Sequence, residues 1–407
     1  MSSMPIQIAE SRRVPVPRVA AGADHWALFS YGFRPFFLFG ALWAALAVAL
    51  WIPVYFGVLT LPIAIEPIDW HIHELLYGYL SAVVAGFLLT AIPNWTGRLP
   101  LAGRPLMLLV ALWAAGRIAM LTSAWSGAQV AAAIDFSFLP IFAMFCVREI
   151  VVGKNWRNLR VVVLALVLSA GNAVFHAEIA AYGTSDIGRR LGMAAAIAMI
   201  ALIGGRVIPS FTRNWLARAP AGTMPAPFSR FDGLSIIAAV VSLGFWVAWP
   251  HGWITATLLM TSGVLHAWRL GRWAGYRAAR DPLVLVLHGA YAFVPLGFLA
   301  LAAAIAWPTT VPIGAGVHLW TAGAVAGMTL AVMTRATLGH TGRALVATPA
   351  TNAIYVLAGI AIASRAAAAI WPTTSLLLVA TVAWIGAFGG FVAVYGPMLV
   401  QRRKDNA

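Results

Sequence analysis

The sequence predicts an all-α integral membrane protein of about twelve transmembrane helices. Three observations carry this: an extreme apolar composition, evenly recurring apolar stretches, and basic residues confined to alternate connections. Of the 407 residues, 61% are hydrophobic and 10% charged, and the mean hydropathy is +0.86. A soluble domain carries about a quarter charged residues, and one or two soluble cores could not bury so much apolar surface. A bilayer can.

A spanning helix needs about 20 mostly apolar residues. Segments that meet this lie near 35–56, 72–93, 105–122, 127–147, 161–182, 190–209, 233–250, 253–270, 283–306, 314–334, 350–371 and 375–399. The breaks hold Pro, Gly or charge, as at Pro62/Pro67, Gly153-Lys154-Asn155 and Trp371-Pro372. Placing both ends of the chain on one side tests the count. Of the 27 Lys and Arg residues, all but Arg117, Arg189, Arg190 and Arg365 then fall at or near helix ends on that side. Such asymmetry marks the cytoplasmic face. The net charge of +15 is therefore an orientation signal; a nucleic-acid partner would need a basic face on a soluble body. The expected organisation is a cytoplasmic tail over 1–33 (Arg12, Arg13, Arg18), a single twelve-helix domain over 34–400, and a cytoplasmic tail over 401–407 (Arg402, Arg403, Lys404).

A faint repeat divides the helices into three units of four. Ala91-Ile92-Pro93-Asn94-Trp95-Thr96 closes the second segment, and Val207-Ile208-Pro209-Ser210-Phe211-Thr212 closes the sixth. The tenth ends in Thr334-Arg335-Ala336-Thr337, and the second and tenth both begin with His followed five residues later by Gly (His73/Gly78, His318/Gly323). Chance similarity between apolar sequences is the alternative.

Cys146 is the single cysteine. An internal disulfide, a CxxC pair, a Cys-ligated iron–sulfur cluster and a thiolate zinc site are thereby excluded, so any metal is held by His, Met or carboxylates. No phosphate-cradling loop, nucleophile elbow or CxxCH is present, which leaves ATP-driven transport, serine hydrolysis and c-type haem unsupported.

Polar residues within a membrane are costly when unpaired, so each is a functional candidate. The histidines fall into two groups by depth. The outer group is His71, His73, His176 and His318, with Glu74 and Glu178 nearby; the inner group is His266 and His288, with His340 just beyond the tenth segment. Imidazole suits iron, copper and zinc, and bundle cofactors are held by side chains on facing helices. His266 and His288 have equal depth on consecutive helices, which allows axial ligation of one haem; the alternative is a pair of hydrogen-bonded core histidines. His71 and His73, at i and i+2, diverge by about 200° on a helix, so they do not readily share one metal; the alternative is interfacial anchoring beside Trp70. A second metal centre is expected from some of His71, His73, His176 and His318, with Gly78 and Gly323 leaving room for a flat macrocycle. Arg117 and Arg365 lie in the outer third, where guanidinium can clamp a haem propionate. Arg117 is as well explained by an ion pair with Asp135, whereas Arg365 has no evident carboxylate beside it. Arg335 and His340, in the glycine-containing stretch Met333–Arg343, could bind an anion such as a propionate or lipid phosphate, or simply cap the helix on the basic side.

Several long motifs in order resemble the NnrS family: Phe33-Arg34-Pro35-Phe36-Phe37, Trp70-His71-Ile72-His73-Glu74, Gly86-Phe87-Leu88-Leu89-Thr90, Asn94-Trp95-Thr96-Gly97-Arg98, Gly205–Thr212 and Met333–Arg343, with the histidines of the eighth and ninth segments. The resemblance runs over essentially the whole chain. It implies a bacterial inner-membrane protein containing haem and copper, tied to nitric oxide metabolism and protection against nitrosative stress. A looser resemblance is to haem–copper oxidases, whose twelve helices form three arcs of four and whose low-spin haem hangs between helices 2 and 10. This sequence departs from them: the sixth segment has no histidine and the tenth only one, so their copper triad is missing. The expectation is haem b, with copper, in a bilayer protein that handles a small gas such as NO and draws electrons from a quinol or another donor. A secondary transporter and a haem-based membrane sensor are the alternatives.

Overall fold

The computed structural model describes residues 27–403; Arg12, Arg13, Arg18, His25 and Lys404, and with them most of the two expected tails, lie outside the described residues. Among the described residues there is no strand. Twelve long helices account for most of the described residues: α1 (Phe33–Tyr55), α2 (Pro67–Thr96), α3 (Arg104–Leu121), α4 (Ala128–Val152), α5 (Leu159–Tyr182), α6 (Ile187–Leu216), α7 (Arg230–Ala248), α8 (Trp253–Gly271), α9 (Pro282–Ala306), α10 (Ile313–His340), α11 (Pro349–Ile370) and α12 (Thr374–Val400). Eleven are long and apolar enough to cross a membrane. The remaining one, α8, has 19 residues, but its buried His266 and Arg269 lower its hydropathy.

Local chemistry sets the ends. Pro67, Pro282 and Pro349 start helices, where the missing N–H costs nothing. The side chains of Asp281, Thr348 and Thr373 accept from free backbone N–H groups, and Ser229 with Asp232 forms a capping box. Gly97 and Gly183 close α2 and α5 in the left-handed region, at φ +70 and +79, which a side chain would disfavour.

Three helices, α2, α6 and α10, occupy the centre and touch one another. Their apolar stretches are 78%, 72% and 72% buried, against 11–56% for the other eight spanning helices. The outer helices form three arcs around them: α3–α4–α5, α7–α8–α9, and α11–α12–α1. The last arc joins the two ends of the chain. Arg34 at the start of α1 donates to the carbonyls of Leu399 (2.8 Å) and Gln401 (2.6 Å) at the end of α12, and Trp384 Nε1 donates to the Ala44 carbonyl at 2.9 Å.

The central helices are also the longest departures from expectation, running past the expected ends at 93, 209 and 334. Each contains a π-helical turn: Glu74–Tyr79 in α2, Ile200–Gly204 in α6 and Leu319–Ala326 in α10. A π turn loosens the backbone ladder and often marks a functional site. Neighbouring side chains cover the carbonyls here. Trp113 Nε1 reaches Gly78 O at 2.9 Å, Arg269 reaches Ala201 O at 2.7 Å, and Thr329 reaches Val325 O and Ala326 O at 2.8 and 2.9 Å. In hydrocarbon such distortion is tolerated only inside protein, and these three helices have protein on every side.

Candidate functional site

The first π turn follows His73 directly, and around it lies a buried polar cluster drawn from α2, α3, α4 and α5. His73, Glu74, Arg117, Asp135 and Asn172 are all at most 4% exposed. Arg117 donates to Glu74 at 2.7 Å and to Asp135, so the ion-pair reading of Arg117 holds, with a second carboxylate added. His73 turns Nδ1 to Glu74 (3.0 Å) and Nε2 to Asp135 (3.1 Å) and Asn172 Oδ1 (3.2 Å). Asp135 also accepts from Asn172 Nδ2 and meets His176 Nε2, both at 2.9 Å. Trp43 Nε1 donates to Glu74 at 2.8 Å.

A neutral imidazole has one N–H, yet both nitrogens of His73 face carboxylate oxygens. Two carboxylates and one guanidinium leave a net charge of −1, and an uncompensated buried charge is expensive. The cluster therefore needs one more positive charge, as a proton or a metal ion. One ligand atom each from His73, Asp135 and His176 lie within 4.8 Å of one another, and two imidazoles with a carboxylate form a set that copper, zinc and iron accept. One turn above His73 on the same face, Asp69 is 1% exposed, and neither of its carboxylate oxygens has a hydrogen-bond partner.

The second feature is a cavity of about 710 Å³ enclosed by α1, α2, α6, α10, α11 and α12, with Asp186 and His251 at its rim. Its volume lies within the range of small-molecule and cofactor pockets. His71, His318 and Arg365 line it among mostly apolar side chains. The His71 ring stacks on Trp51 at 4.6 Å and 15°, and its Nδ1 is buried without a partner. His318 Nδ1 bonds the Gly314 carbonyl at 2.6 Å, which fixes that nitrogen as the donor and leaves Nε2 as a free base. Arg189 and Arg190 also line the cavity, but both are paired with Asp186, at 3.0 and 2.6 Å. Burial pushes the Asp186 carboxyl up, yet hydrogen bonds from Arg190 and Arg189 outweigh this and hold it below the usual carboxylate range.

The expected residues are thus regrouped. His71 and His73 do diverge, and they serve different sites. His73 joins His176, while His71 joins His318, so the expected outer set divides in two. Gly78 makes room for the Arg117 guanidinium, 2.3 Å from where a Cβ would stand, and Gly323 for the Phe293 ring at 2.5 Å; neither faces a macrocycle space. His266 bonds Tyr291 Oη (2.8 Å) and the Ser235 carbonyl (3.0 Å), which engages both ring nitrogens, and His288 Nε2 meets Thr212 at 2.8 Å. These are hydrogen-bonded core positions, and no contact joins the two among the described residues. His340 packs on Phe33 at 5.3 Å, and Arg335 lies over Phe211 at 4.1 Å with one N–H unpartnered; both stand at the opposite end of the bundle from the cavity. Asn172 and Trp43 were not anticipated. Asn172 was findable: it lies one turn before His176, on the same helix face.

The fold and these features define a polytopic helical membrane protein with two histidine-bearing sites packed against its central helices. Residues 27–403 match the family described as NnrS protein, and the chain belongs to the NnrS family. Membership links it to nitric-oxide-related membrane proteins that hold haem and copper. No curated protein sequence matches it.

Proposed function

We propose that this protein is a haem- and copper-holding membrane protein that handles nitric oxide, with the tetrapyrrole in the α1/α2/α6/α10/α11/α12 cavity and the copper at the His73–Asp135–His176 cluster. The observation that carries the reading is the pairing of His71 with His318. Two imidazoles from different central helices border one apolar cavity of about 710 Å³; among the described residues His71 Nδ1 has no hydrogen-bond partner, and His318 is bonded through Nδ1. Histidines placed only for packing are normally satisfied, as His266 is.

When bound, haem and copper supply redox-active centres that take a small gas such as NO. The protein's own residues do the rest. His71 and His318 present neutral nitrogen donors, and the Trp51 ring holds His71 in one orientation. The apolar lining excludes water. In the cluster, Asp135 orients His73 and His176 toward a common point, and Arg117 ties Asp135 to Glu74. Such supporting contacts commonly fix the geometry and basicity of metal ligands.

The test is the absorption spectrum of purified protein with metal analysis. A Soret band with split α/β bands is expected. His71→Ala or His318→Ala should alter the band, the double variant should lack it, and His266→Ala and His288→Ala should leave it in place. The reverse pattern would move the haem to the inner histidines. A folded parent without a Soret band would sink the haem reading and favour a transporter. Turnover of NO with an electron donor then separates an enzyme from a sensor.

A further inference from the structure

We infer that the ligand of the large cavity carries a carboxylate group and that Arg365 is the residue that binds it. His73 on α2 and Arg117 on α3 correspond to His318 on α10 and Arg365 on α11: each histidine directly precedes a π turn, and each arginine lies in the last turns of the next helix.

In the first unit the guanidinium is neutralised by Glu74 and Asp135. Glu74 directly follows His73; the residue that directly follows His318 is Leu319. Helices α10, α11 and α12 contain no aspartate or glutamate at all. Arg365 accordingly makes no ion pair and no hydrogen bond among the described residues. It lines the cavity beside His71 and His318, near enough to act on both through its charge. The other two arginines at the cavity are occupied by Asp186. A guanidinium inside a membrane protein is retained with a partner, and in the sister unit that partner is a carboxylate pair. The acid missing from the protein is supplied by the ligand.

This rests on the tetrapyrrole reading above, since haem brings two propionates. The test is a Soret titration of full-length, detergent-solubilised apoprotein with haem and, separately, with haem dimethyl ester, in which both carboxylates are masked. The parent should bind haem about 10- to 100-fold more tightly than the ester, the range for a hydrogen bond to a charged group. Arg365→Gln should lose that preference and leave ester binding unchanged, Arg365→Lys should keep part of it, and Arg189→Gln should keep it whole. Arg365 has no ion-pair or hydrogen-bond partner to strand among the described residues, so these variants should fold. An undiminished preference in Arg365→Gln overturns the inference and leaves the haem reading standing. A parent that takes up neither tetrapyrrole overturns the haem reading itself.

Discussion

Replacing Arg117 with leucine should be among the most damaging single changes in this protein, and a second substitution should partly repair it. Arg117 is the one guanidinium between Glu74 and Asp135, and all three side chains are almost fully buried. Removing it leaves two carboxylates with only the imidazoles of His73 and His176 as ion-pair partners. Hydrogen bonds between membrane helices average only about 0.6 kcal/mol, so lost bonds would cost little. A stranded buried charge costs about 3–5 kcal/mol, and that term decides. The thermal midpoint should fall by about 6–10 °C, at roughly 2 °C per kcal/mol for a large chain. Adding Asp135→Asn removes one stranded charge, so Arg117→Leu/Asp135→Asn should melt higher than Arg117→Leu alone. The assay is thermal unfolding in detergent, followed by loss of monodisperse protein on gel filtration. Equal or greater damage in the double variant, or a single variant within about 1 °C of the parent, would refute the charge argument.

Other predictions follow from the same geometry. Gly78→Ala places a methyl 2.3 Å from Arg117 Nη1 and should show much of the Arg117→Leu defect in the same melt, whereas Gly244→Ala, with nothing within 4 Å, should be silent. His73→Ala/His176→Ala should lower copper per chain with haem content unchanged; copper at parental stoichiometry would leave the cluster with a proton in the metal's place. For orientation, alkaline phosphatase fused after Gly252 should be active and a fusion at the C-terminus inactive; the opposite result would invert every assignment of sides.

The all-α membrane class was legible because bilayer thickness acts on each segment separately: the expected segments coincide with helices, eleven of them long and apolar enough to cross a membrane. Depth was legible too: His71, His73, His176 and His318 were grouped correctly at one end of the bundle. Azimuth was not. Depth fixes one coordinate of three, so His266 and His288 match in depth, yet each ring turns to its own partners, Tyr291 and Ser235 for His266 and Thr212 for His288. The π turns compound this, since one extra residue rotates everything beyond it by about 100° relative to a regular helix. A helical wheel drawn through α2 therefore misplaces residues on one side of the turn. The exception is the His71/His73 divergence, which was read correctly because both precede the π turn.

The clasp between α1 and α12 bears on how the protein is made. A ribosome delivers α1 to the membrane well before α12, yet Arg34 donates to the carbonyls of Leu399 and Gln401, and Trp384 to that of Ala44. Until α12 has joined the bundle, the buried Arg34 side chain lacks these two acceptors, and the cavity lacks part of its wall. The cavity is fully walled only once α11 and α12 are both in place. A nascent protein truncated before α12 would present an unclosed seam, the kind of lesion by which membrane quality-control proteases can tell an unfinished bundle from a finished one.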